Sequence, residues 1–518
     1  MQIAVCPIHS YATDVFLPLY YVFFERKHVM KKSLRILSLI LALVLSLSAF
    51  VACDSGDEET TTEATSQTGE STNVETETEY FPDIAKKDYG TTFHIHNQQS
   101  CNVTKYHWVK ESSGDALSES IFARQEKIRE YLGVEIVATE AGDHMTYTEA
   151  FKTAIKNKDD SIQLMLSHVH SGIESLITGN YLRDLKTVDE INLDNDYWNM
   201  NFMEGLALND HMFLGNNNFN ILYTNVITFN KKMMDQYGDA LESDVYTLVN
   251  DYKWTLDKMI NLASMVYIDA TADGKTADDT FGITGIQWVE FIGFLHASGL
   301  NYIDIGDSGK YEIVVYNEVN QAKTADLIDK LSQMVASDYA WFRYRIEDTP
   351  VINVSSGRTL MGIISTNSLP GLCDYDVEFG VLPYPMYDEA QKDVGYRHLQ
   401  WGGYLCFPSY SSNPTMIGET VEMLAFFSDD VNTTFYEKLL GKQVADMPLD
   451  RQMLELVWDT ICPEFGQAYS EATGNWLYML PELTWVNATQ NLASYVKSKE
   501  SSSNKKIKKF LVEVEKLG

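Results

Sequence analysis

Distinct patterns of hydrophobic and polar positions follow one another along the chain. Residues 36–51 form an almost unbroken apolar run behind Lys31, Lys32 and Arg35. That run is short for a membrane span and suits the apolar region of an export signal. Residues 54–78, DSGDEETTTEATSQTGESTNVETET, hold almost no apolar side chain. Such a stretch cannot offset the entropy of ordering and predicts a self-repelling, disordered spacer. From Asp88 onward the pattern is that of a folded domain. TTFHIHN (residues 91–97) alternates like a strand, and Leu117, Ile121, Ile128 and Leu132 recur at helical spacing before Gly133. A strand is expected at 134–138, a helix at 147–156 and a strand at 161–168. SGIESLI then opens a further helix, for which Ser171 is the expected cap. Strands alternating with helices predict a parallel α/β layer.

Composition narrows the class. With 518 residues, 45% of them hydrophobic and 12% aromatic, the chain can bury a real core and has room for two or three domains. A net charge of −33 argues against nucleic-acid or anionic-lipid binding as its main task, because either would want clustered Lys and Arg. Cys6 and Cys53 lie in the N-terminal region, and Cys101, Cys373, Cys406 and Cys462 are scattered through the remainder without a CxxC pair. They could form one or two disulfides, but buried thiols are the favoured reading. The chain carries no HExxH, GxSxG, phosphate-loop or dinucleotide-binding motif. Ser502 and Lys505 make an SxxK spacing that reads as accidental, so a non-enzymatic protein without cofactor or metal is expected.

Ala52-Cys53 behind the apolar run resembles the lipobox of bacterial lipoproteins, with Phe50 in place of the usual leucine. The resemblance implies cleavage before Cys53 and lipidation of its thiol, leaving the protein tethered to the membrane on its extracellular face. Met30 directly precedes the basic residues, so residues 1–29 read as a misassigned start, 30–53 as the signal peptide and 54–85 as the linker. Downstream, ARQEKIREYLGVEI, SIQLMLS, SLITGNYLRDL, FNKKMMDQYG, YKWTLDKMINLAS, SSGRTLMGI, FGVLPYPMYDEAQ and GGYLCFPSYSSNP occur in an order that resembles the family 1 extracellular solute-binding proteins, the binding components of ABC importers. The resemblance implies an α/β, two-lobed, type II periplasmic-binding-protein-like fold with lobes joined by crossover strands. It places lobe one at 86–226 plus 385–428 and lobe two at 227–384 plus 429–518. It further implies a monomer that closes on a small solute and delivers it to ABC permease subunits. A cell-surface carbohydrate hydrolase and a sensory or adhesion lipoprotein are the competing roles.

Ligands of open α/β sheets sit beyond the carboxyl ends of strands, which singles out His96 and Asn97 after the first strand and His168 and His170 after the third. His94/His96 and His168/His170 are period-two pairs, each able to supply half a metal site. They lack the carboxylate or thiol company of a closed one, so hydrogen bonding to solute is the expected role. Trp288, Trp401 and Tyr404 offer flat faces suited to sugar rings, making a carbohydrate the leading solute, and the glycines of WGGY permit close backbone approach. Trp198, Trp254, Trp341 and Trp458 are assigned to core or lobe surfaces. Ser365, Thr366 and Asn367 follow the strand LMGII, where the family resemblance places ligand contacts of the second lobe. Asn216, Asn217 and Asn218 read as a turn. Asp269, Asp273 and Gly274 fall at calcium-loop offsets, but Thr271 and Thr280 stand where charged ligands belong, so an acidic surface turn is expected. In the C-terminal tail, Ile507, Phe510, Leu511 and Val514 predict a packing helix. Membrane-surface contact by its lysines is the weaker alternative, since Glu513 and Glu515 dilute the charge.

Overall fold

The computed structural model describes residues 82–97, 107–140, 144–168, 172–220, 222–286, 288–306, 309–343, 354–372, 375–441, 448–486 and 490–517. Two units are separable: Glu25–Ala85, of which only residues 82–85 are described, and a body in which every described residue lies between 86 and 517. The signal peptide, Cys53, nearly all of the linker, Cys101, His170, Ser171 and Cys373 lie outside the described residues.

Two sheets organise the body. The first contains β1 (Thr91–Asn97), β2 (Val134–Glu140) and β3 (Leu164–Ser167), with β1 central and parallel to both neighbours. The helix Ala116–Leu132 joins β1 to β2. Asp115 caps it, its Oδ1 accepting from Leu117 N and Ser118 N at 3.1 and 3.2 Å. Gly133 ends it in the left-handed region at φ 62°, and a Cβ there would lie 2.0 Å from Asp88 Oδ1. Leu117, Ile121, Ile128 and Leu132 are all buried, as their spacing required. The helix His144–Asn157 joins β2 to β3.

The second sheet is formed by β4 (Asn225–Asn230), β5 (Tyr267–Ile268), β6 (Thr280–Ile286), β9 (Ala340–Arg343), β10 (Thr359–Ser365) and β11 (Phe379–Leu382), with a small hairpin, β7 (Ile303–Ile305) and β8 (Tyr311–Ile313), outside it. Its order is β11-β4-β10-β6-β5, and β9 also pairs with β6. This sheet is mixed: β4 runs antiparallel to both β10 and β11, whereas β6, β9 and β10 are parallel. β12 (His398–Leu399) pairs with β14 (Ile461–Cys462), and between them β13 (Tyr404–Cys406) joins the first sheet antiparallel to β3. β5 is antiparallel to β6, the next strand in sequence, whereas the antiparallel courses of β4 and β13 share another cause. Each comes directly after the chain crosses between the sheets, so it enters its sheet from the end opposite to the helix-linked strands.

Trp198, Trp254, Trp341 and Trp458 are buried. The C-terminal helix Leu492–Val514 turns Ile507, Phe510 and Val514 inward, with Leu511 at the margin. Phe510 lies 5.3 Å from the Tyr469 ring, and Trp476 Nε1 donates to Ser503 Oγ at 3.0 Å. The helix beginning at Ile173 has Gly172 as its N-cap, with φ 62° and no side-chain capping bond, in place of the cap expected from Ser171. No helix among the described residues is long and apolar enough to cross a membrane.

Candidate functional site

The two sheets meet where residues 222–225 and 398–404 run beside each other. Trp401 N donates to Tyr223 O at 2.7 Å and Thr224 Oγ1 to Leu399 O at 2.7 Å. Asn220 Nδ2 donates to Gly403 O at 2.6 Å. The turn after β10 joins them: Thr366 N donates to Thr224 O at 2.8 Å, and Ser365 Oγ to the same carbonyl at 3.3 Å. Three segments distant in sequence thus form one seam, and Ser365, Asn367, Trp401 and Tyr404 are brought together along it. A crevice of about 170 Å³ lies there, lined by Thr224, Asn225, Tyr384, Arg397, His398 and Trp401. It is too tight for a sugar ring and marks the seam itself.

The seam is largely uncharged. His398 Nε2 accepts from Tyr384 N at 3.0 Å and its Nδ1 lies 2.7 Å from Thr460 Oγ1, while burial pulls its pKa down to about 3. Tyr404, 1% exposed, accepts from Gln400 Nε2 at 2.9 Å, and burial raises its hydroxyl above the usual range. Gln467 Nε2 donates to Gln400 O at 2.7 Å. Among the buried polar atoms here without a hydrogen-bond partner are Asn367 Nδ2, Gln400 Oε1 and Gln467 Oε1. Asn367 is 1% exposed and its Oδ1 accepts from Ser368 Oγ at 3.3 Å.

In the first sheet, His96 and His168 are gathered around Tyr147. His96 Nε2 lies 3.0 Å from Tyr147 O, its ring stacks on the Tyr147 ring, and Tyr147 OH accepts from His168 N at 2.8 Å. His96 is 5% exposed, and burial lowers its basicity against the opposing effect of the Tyr147 carbonyl. His96 is therefore engaged inside its own lobe, and Asn97 beside it is also buried. Trp288 stands apart from this group. Partly exposed at the end of β6, it stacks on Tyr478 with ring centres 5.0 Å apart and planes at 23°.

Sequence reasoning missed Tyr223, Thr224, Gln400, Gln467 and Tyr478. Nothing in the local pattern around Gln467 or Tyr478 ties them to a seam more than 60 residues away in sequence.

The other candidates resolve simply. Asn217 Oδ1 accepts from Phe219 N at 3.0 Å and Asn220 N donates to Asn217 O, which makes this stretch a turn. In the acidic loop, Gly274 N donates to Asp269 Oδ2 at 3.1 Å, and Asp279 accepts from Ala270 N and Thr276 N at 3.0 and 2.8 Å. These carboxylates hold backbone N–H groups. Among the described residues no group of three or more His, Cys, Asp or Glu is placed to hold a metal. Cys406 and Cys462 are free thiols, with burial pushing Cys406 up to about 12.

The sequence matches no protein-family model and no curated protein. Solved structures do match. The GacH receptor of Streptomyces glaucescens, known unliganded and in complex with acarbose, aligns with a TM-score of 0.53 at 14% identity, covering 81% of this chain and 98% of that one. An ABC substrate-binding protein of Listeria monocytogenes in complex with cycloalternan gives 0.51 at 12% identity, over 82% of this chain and 98% of that one. The maltose/maltodextrin-binding domain MalE of Bdellovibrio bacteriovorus, bound to maltotriose, gives 0.51 at 14% identity, over 82% and 99%. These neighbours are binding proteins. Two α/β sheets joined by paired crossing segments, matched over nearly the full length of such proteins, make this chain a two-lobed, type II periplasmic-binding-protein-like fold.

Proposed function

We propose that the protein is an exported, lipid-anchored solute-binding protein that captures a sugar or oligosaccharide between its lobes and delivers it to an ABC permease. The observation that carries this reading is the seam at which two crossing segments and the β10 turn hold unpaired buried amide groups. A buried polar atom without a partner costs about 1–3 kcal/mol. A hydroxyl both donates and accepts, so a polyhydroxylated solute could meet Asn367 Nδ2 as well as Gln400 Oε1 and Gln467 Oε1, which a carboxylate, an acceptor only, could not. Structure neighbours solved with acarbose, cycloalternan and maltotriose support the same class.

In this reading lobe one spans 86–226 plus 385–428 and lobe two 227–384 plus 429–518. Solute first meets one lobe, the segments at 222–225 and 398–404 bend, and contacts to the second lobe populate the closed state. Trp288 with Tyr478 supplies an aromatic face, and His168, Ser365, Asn367, Trp401, Gln400 and Gln467 supply polar and close-packed contacts. His96, Asn97 and Tyr404 shape the walls behind them. The protein acts as a monomer on the extracellular face of the membrane, held through Cys53.

A thermal-shift screen tests the reading. A true solute at a hundred times its dissociation constant stabilises the fold by about 2.7 kcal/mol. Upward shifts with mono- or oligosaccharides are expected; shifts only with amino acids or peptides would overturn the sugar assignment.

A further inference from the structure

Six lysines, Lys497, Lys499, Lys505, Lys506, Lys508 and Lys509, fall within thirteen residues of a chain whose net charge is −33. All lie on the C-terminal helix Leu492–Val514. Lys499 is turned inward, its Nζ donating to Tyr495 OH at 2.7 Å, and Lys506 Nζ donates to Glu471 O at 3.2 Å. Lys497, Lys505, Lys508 and Lys509 are exposed. Among the described residues none of these four forms an ion pair or hydrogen bond.

At 100° per residue the four fall within an arc of about 120°. Opposite that arc lie the buried Leu492, Val496, Ser503, Ile507, Phe510 and Val514. The acidic residues dilute this charge in part. Glu513 is drawn to Lys516, 2.7 Å away, and also feels Lys509; Glu500 lies off the arc, and Glu515, the C-cap, stands at its edge. Val512, 39% exposed, sits near the middle of the same arc. The stripe is thus a cationic face with an apolar side chain at its centre, rigidly held by a packed inner face.

We propose that this helix face is a docking surface for anionic phospholipid headgroups. Ammonium groups spaced along about 18 Å of helix match a plane of phosphates, and an exposed valine is tolerated at the headgroup boundary. The net charge of the whole chain does not forbid this, because charges more than about 8–10 Å away are largely screened at physiological salt and the local stripe decides. Four lysines give only a weak contact in free solution. A tether raises the local concentration of surface and makes a weak contact count, and that setting, though not the binding itself, rests on the proposed lipid anchor at Cys53.

The test is cosedimentation of residues 54–518 with vesicles, which removes both the apolar segment and the lipidated cysteine. Among the described residues, the strand pairings and buried clusters lie within 86–517, so this form is expected to retain the fold, and circular dichroism checks it. The chain is expected to sediment with phosphatidylglycerol-containing vesicles in low salt, to be released by high salt, and to ignore pure phosphatidylcholine. Replacing Lys497, Lys505, Lys508 and Lys509 together by Gln should weaken apparent affinity by about tenfold or more while leaving saccharide-induced thermal shifts unchanged. No sedimentation of the parent chain, or equal sedimentation of the quadruple variant, overturns the proposal. Binding to soluble polyphosphate as tight as to vesicles would assign the stripe to anionic polymers and overturn it as well.

Discussion

Gly403 approaches β3 so closely that a Cβ at that position would lie 1.8 Å from Ser167 O. The contact locks the second crossing segment onto the first sheet, where Tyr404 N donates to Ser167 Oγ at 3.2 Å and β13 pairs with β3. The obstacle is backbone, so no side-chain rotation relieves it. Gly403→Ala is expected to cost about 1–3 kcal/mol in denaturant unfolding. It should also weaken solute binding, because the displaced segment carries Trp401 and Tyr404. Unchanged stability would mean that the seam yields more readily than its hydrogen bonds imply.

Asn367 gives a prediction of opposite balance. Its Nδ2 is buried without a partner, so Asn367→Ala removes an unmet donor. The unliganded protein should keep its stability to within about 1 kcal/mol. Saccharide affinity, measured by titration calorimetry, should fall by about tenfold, roughly 1.4 kcal/mol. A large loss of unliganded stability with intact affinity would make Asn367 a structural residue only.

Glu174 sits in the first turn of the helix Ile173–Thr178 and reaches the C-terminal region, its Oε1 accepting from Glu471 N at 2.8 Å and Ala472 N at 3.1 Å. Burial pushes its carboxyl up to about 7 despite these bonds. A raised folded-state value means the folded protein holds the proton more tightly than the unfolded chain. The resulting stabilisation is present below about pH 4.5 and is lost as pH rises through about 7, a contribution on the order of 3 kcal/mol. Glu174→Gln keeps the accepting oxygen and cannot ionise. Denaturation between pH 5 and pH 8 should therefore show a shallower decline for the variant, with Glu464, also near 7, supplying the remainder. Parallel curves would place Glu174 in a wetter site than its 7% exposure indicates.

The proposed anchor has a direct check. Cys53→Ala should move the protein from the membrane fraction to the soluble or secreted one. Retention on membranes would replace the lipid anchor by an uncleaved apolar segment.

Much of the local structure was legible because its signals are local. The spacing of Leu117, Ile121, Ile128 and Leu132 and the stop at Gly133 specify one helix of seventeen residues. TTFHIHN predicts β1 residue for residue, and Ile507, Phe510 and Val514 predict the buried face of the last helix. Alternation of strand and helix fixes an α/β class by itself. The periodicity of a strand, however, carries no information on which neighbour it will meet or in which direction. That β4 and β13 run against their neighbours follows from the chain crossing twice between sheets, a relation among residues nearly 180 apart.

The site divides the same way. Glycine-rich WGGY announced a close approach, but only the fold supplied its object, the carbonyl of Ser167. Trp288 was visible as an aromatic residue ending a strand; its partner Tyr478 lies 190 positions later. His96 was placed at the carboxyl end of its strand correctly in sequence, yet the helix carrying Tyr147 covers it and takes its Nε2. Sequence determined which elements form and which faces are apolar, because those depend on neighbours within a few residues. Tertiary structure alone decided which polar atoms are buried together and left unpaired, because burial is a property of what packs from afar.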